Sequence, residues 1–167
     1  MLAAELVAGL GMAGADAGAY DGSQVLGTEY GPLDGVFHLA ALDAAADPLL
    51  PGGFAVIRAA LLHKPAWFTV ACRAGDDTGA GLAGLLRSAA REYPETRVRL
   101  ARFAGVEPDA AALLRELAPV KCVFDAPGPE GAGPPSPAQG TAPRTEYGAE
   151  PVIDLTPTGR RAPLPIP

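Results

Sequence analysis

Between residues 2 and 125, short runs of β-branched and aromatic residues alternate with longer runs of helical period, and this alternation confines the chain to one broad architecture. It is the pattern of βαβ units, in which a strand, a crossover helix and a second, parallel strand recur. Strands are expected at Gly35 to Leu39, Trp67 to Cys72, Thr96 to Phe103 and Val120 to Phe124. The first two and the last are continuous apolar runs, as strands covered on both faces are. The third alternates instead: Val98, Leu100 and Phe103 interleave with Arg97, Arg99 and Arg102. Such alternation predicts a strand near a sheet edge, or one with a wetter face.

The helical runs are equally specific. Leu2 to Leu10 is helix-like, with no strand before it. Gly53 to Leu62 sets Phe54, Ile57 and Leu61 on one stripe. Leu82 to Tyr93 places Leu82, Leu85, Leu86, Ala89, Ala90 and Tyr93 on one face, and Arg87, Arg91 and Glu92 on the other. Pro94 ends that helix, because a residue preceding proline is pushed out of the helical region. Asp109 is an N-cap candidate for a helix carrying Leu113, Leu114 and Leu117, whose pattern stops at Pro119.

With 167 residues the chain has material for one domain and a tail. Residues 1–125 are expected to form a truncated Rossmann-like three-layer α/β unit with a mainly parallel sheet. The chain carries 21 glycines and 18 prolines, and they are concentrated. Residues 126–145 hold many of them and no large apolar side chain, so this stretch reads as a flexible linker or insertion that cannot offset the entropy of ordering. In 146–167, Glu150 to Leu155 is expected to return as a strand with Asp154 facing out, followed by an extended tail. Both ends of the chain read as cut from something longer.

Composition removes several function classes. A net charge of −6 and a pI near 4.8, with Lys64 and Lys121 the only lysines, do not supply the clustered cations that phosphate backbones require. Cys72 and Cys122 lie in apolar stretches, where thiols act as small hydrophobes, and no Cys or His pair has metal-ligand spacing. The start lacks a basic leader and no run of about 18 apolar residues occurs, so a soluble, cytoplasmic chain is expected.

Motifs for catalysis fail one by one. Gly9, Gly11 and Gly14 spell G-x-G-x-x-G, but a helical run precedes them and no helical period follows; the dinucleotide fingerprint requires the reverse context. A helix C-cap with its loop is the better account. Four residues after Tyr20, Tyr30, Tyr93 and Tyr147 stand Gln24, Asp34, Arg97 and Pro151, so no tyrosine has the lysine that lowers its pKa in a short-chain reductase. His63 and Val120 precede the two lysines, which excludes a P-loop; Ser23, Ser88 and Ser136 sit in neither a nucleophile elbow nor a carrier-protein serine motif. His38, at the end of a predicted strand, is where α/β sheets place ligands, though such a histidine is usually structural. His63 ends a helix and suits its dipole. Asp76-Asp77 reads as loop and cap chemistry, and Arg87, Arg91 and Glu92 as a solvated helix face where a partner domain could also dock.

Four stretches in fixed order carry a resemblance. Leu33 to Asp43 (LDGVFHLAALD), Pro65 to Arg73 (PAWFTVACR), Gly79 to Glu95 (GAGLAGLLRSAAREYPE), and Glu150-Pro151-Val152 with Gly159-Arg160-Arg161 are similar to the structural, non-catalytic subdomain of a polyketide synthase ketoreductase. The resemblance spans residues 30 to 120 well, the tail less, and 11 to 30 poorly; the proline-rich insertion and the absent first strand depart from the family. It implies a duplicated dinucleotide fold that has lost cofactor binding and buttresses a catalytic half. No catalytic, cofactor or metal residue would then lie in this chain. NADPH would belong to the other half, phosphopantetheine to a partner acyl carrier protein, and the parent would be a multidomain megasynthase of the kind used in antibiotic biosynthesis. Two rival readings are a small stand-alone nucleotide-binding oxidoreductase using Gly9, Gly11 and Gly14, and an adaptor domain bound through the proline-rich segment.

Overall fold

The computed structural model describes residues 1–21, 26, 31–43, 52–75, 77–117, 152–156 and 159–161. Among the described residues, four helices and five strands follow in the order α1 (Leu2–Met12), β1 (Gly35–His38), α2 (Gly52–Leu62), β2 (Trp67–Arg73), α3 (Asp77–Glu92), β3 (Arg97–Phe103), α4 (Ala110–Leu117), β4 (Val152–Thr156) and β5 (Gly159–Arg161), with a 3-10 turn at Ala40–Leu42 after β1. The strands form one sheet in the order β1-β2-β3-β4-β5. β1 to β4 are parallel and β5 is antiparallel to β4. The chain therefore has an α/β, Rossmann-like fold.

Strand alternation divides the core into two layers. Phe68, Val70 and Cys72 of β2, with Val98 and Leu100 of β3, pack against Ile57, Ala60 and Leu61 of α2 and Leu82, Leu86 and Ala89 of α3. The opposite face gathers Ala71, Ala101, Phe103 and Leu155 beneath Leu6 of α1 and Ala110 and Leu113 of α4. Period-2 geometry makes this division automatic, since successive side chains leave opposite faces of the sheet. Phe68 to Cys72 are all buried, which is why that part of β2 carries no charge and only Thr69 as a polar residue.

Local chemistry sets the helix ends. Asp109 accepts hydrogen bonds from the backbone N–H groups of Ala111 (3.3 Å) and Ala112 (3.0 Å), the N-cap arrangement expected for α4. At the end of α1, Gly14 has φ +85°, the Gly14 N–H donates to the Gly11 carbonyl and the Ala15 N–H to the Leu10 carbonyl, both at 3.0 Å. This is a Schellman closure, which explains why glycine stands there. It also extends α1 to Met12, two residues past the expected end.

Several sequence expectations need correction. β3 is the third of the five described strands and not an edge strand, and its three arginines are only partly buried, which leaves the alternative of a wetter face; Arg97 and Arg99 are on the face that α4 covers, as described below, and Arg102 is on the other. Phe54, on the same helix face as Ile57 and Leu61, is not buried with them: in the first turn of α2 it is 43% exposed. α3 begins at Asp77, five residues before the predicted start, because Gly79, Gly81 and Gly84 weaken the helical signal there. Within the expected extended tail, Gly159–Arg161 pairs antiparallel to β4 as β5. The predicted strand at Val120 to Phe124 and the linker at 126–145 lie outside the described residues.

Candidate functional site

In parallel α/β sheets ligands gather at the carboxyl ends of the strands, so that edge is where a site is to be sought. Here it is formed by His38 at the end of β1, Arg73 at the end of β2, and the turn after β3 containing Gly105 and Glu107. Gly75 (φ +87°) and Gly105 (φ +69°) make the two turns that follow β2 and β3, in backbone conformations that side chains disfavour. Across them Arg73 and Glu107 form a fork, Nη2 to Oε2 at 3.0 Å and Nη1 to Oε1 at 3.4 Å. Hydrogen bonding to Arg73, and then its charge, hold the Glu107 carboxyl below its usual range. Both partners are solvent-exposed, and the pair closes on itself, tying one turn to the neighbouring strand.

His38 is 8% exposed, and its Nε2 is buried without a hydrogen-bond partner. It is paired in register with Val70, and burial lowers its pKa, keeping the ring neutral. Among the described residues the imidazole is packed against the end of the sheet. His63 is tied down differently, its Nδ1 lying 3.1 Å from the Gly31 carbonyl oxygen.

The remaining sequence candidates do not converge. Gly9 and Gly11 lie inside α1 and Gly14 follows its C-terminus, so none of the three stands at the start of a described helix. These glycines do not fit the pyrophosphate of a nicotinamide cofactor, whose phosphates need amides at the start of a helix. Gly9 has a packing role instead: a Cβ there would come within 2.5 Å of Leu114 Cδ1, so the missing side chain lets α4 approach α1. Cys72 is fully buried in the α2/α3 layer, Tyr93 packs against the same layer, and Ser88 is exposed on α3. Asp77 is the first residue of α3. Tyr30, Tyr147, Ser23, Ser136, Asp76 and Cys122 lie outside the described residues. Among the described residues no group of His, Cys, Asp and Glu could hold a metal ion, and no helix is long and apolar enough to cross a membrane.

Sequence reasoning missed the most organised polar cluster. Arg99 and Glu116 form an ion pair at 2.9 Å, and Arg97 Nη2 and Arg99 Nη1 each donate to the main-chain carbonyl of Glu116 at 3.0 Å. Two guanidinium groups thus meet the last turn of α4, where carbonyls lack helical partners and the dipole is negative. The available signal was the spacing of Arg97 and Arg99, which puts both on the face that α4 covers. The cluster fastens a helix to the sheet. No known protein family, curated protein or solved structure matches this chain.

Proposed function

We propose that this chain is the non-catalytic structural subdomain of a ketoreductase in a multidomain polyketide synthase, and that it supports the NADPH-dependent catalytic half. The observation that carries the reading is a coincidence of sequence and layer. Residues 33–43 span β1 and the 3-10 turn, 65–73 span β2, and 79–95 cover most of α3; these are neighbouring elements of one α/β unit, in the order the resemblance requires. The glycine trio, used as a helix ending, is consistent with a duplicated dinucleotide fold that no longer holds a cofactor. On this reading the chain fixes the position of the catalytic half and helps shape the approach of acyl chains carried on phosphopantetheine, while the hydride donor and the reducing residues lie elsewhere in the polypeptide.

Translating the genomic sequence on both sides in the same frame tests this directly. The expected result downstream is an apolar strand, a glycine-rich turn and, further on, a tyrosine with lysine or asparagine four residues away. A frame lacking those features overturns the reading. A second test supplies such a catalytic half in trans, where a gain in its stability or reductase activity is expected on adding this chain.

A further inference from the structure

We draw no further inference here: the strongest candidate, the buried His38 imidazole at the carboxyl end of β1, whose Nε2 lacks a hydrogen-bond partner among the described residues, rests on one side chain, and nothing in the structure shows what would meet it.

Discussion

Glu116, in the last turn of α4, holds Arg99 of β3 at 2.9 Å with only 8% and 12% of the two side chains exposed. Removing one member of a buried pair leaves an uncompensated charge, whereas replacing both with apolar groups does not. Glu116→Ala is expected to cost about 3 kcal/mol in urea unfolding, the scale for breaking a buried pair. Arg99→Met/Glu116→Leu is expected to lose less than Glu116→Ala alone. A double variant weaker than the single one would show that the pair itself carries the stability.

Stability should depend on pH through His38. Its folded pKa lies below the ordinary value of about 6.5, so between the two values the unfolded chain binds the extra proton. The contribution is present above pH 6.5 and is lost as pH falls from there toward the folded pKa, with a slope of at most about 1.4 kcal/mol per pH unit. Denaturation midpoints of wild type and His38→Gln between pH 7.5 and 5 should converge as acid is added. Parallel curves would mean that the ring protonates equally in both states.

The Trp67 indole occupies the space where a Cβ on Gly35 would lie, its register partner on β1, and it tilts against Phe37 with ring centroids 4.8 Å apart. Gly35→Ala is expected to displace the ring and cost about 1–3 kcal/mol, as overpacking does. Trp67 is the only tryptophan, so a shift of its emission spectrum reports the displacement without a label. An unchanged spectrum and midpoint would show that β1 can move aside.

Asp109 caps α4 with two backbone hydrogen bonds, so Asp109→Ala should cost about 1 kcal/mol while Asp109→Asn, which keeps an acceptor, costs less. Chemical denaturation distinguishes the two. Equal losses would place the effect in charge, through the exposed Arg115 at 3.8 Å, rather than in capping.

Gly14 terminates α1 at φ +85°. Gly14→Ala should therefore cost about 1–2 kcal/mol from the left-handed backbone alone. NADPH titrated into wild type should show no saturable change in fluorescence. Saturable binding that disappears in Gly14→Ala would restore the nucleotide-binding alternative.

What could be foreseen follows from which forces were local. β1, β2 and β3 were legible because runs such as WFTVAC owe their composition to burial on both faces, a constraint written residue by residue. The Asp109 cap and the helix-ending role of Gly14 were legible for the same reason, each acting within a turn of its own position. The place of β3 in the sheet was not, because Arg97 and Arg99 look like a solvated edge until α4, more than ten residues on, delivers Glu116 to them. Phe54 was assigned to the core by its spacing from Ile57 and Leu61, and spacing gives the face of a helix but not how far toward its first turn the covering layer reaches. His38 was rightly suspected of lying at a sheet end, but its unpartnered nitrogen depends on neighbours from β2 that the sequence does not announce.

The reversal of β5 has a mechanical consequence. In register, Gly35 of β1 is level with Arg97 of β3 and Arg161 of β5 with Arg102, so the two outermost described strands are offset by about five residues, roughly 17 Å along the strand direction, as well as by about 19 Å across four strand spacings. Tension applied between Gly35 and Arg161 therefore runs obliquely, partly along the strands and partly across them, and loads the β1–β2 and β4–β5 ladders first. Under load the unit yields from its margins inward, and the β2–β3 pair, seven residues in register, is the last to part.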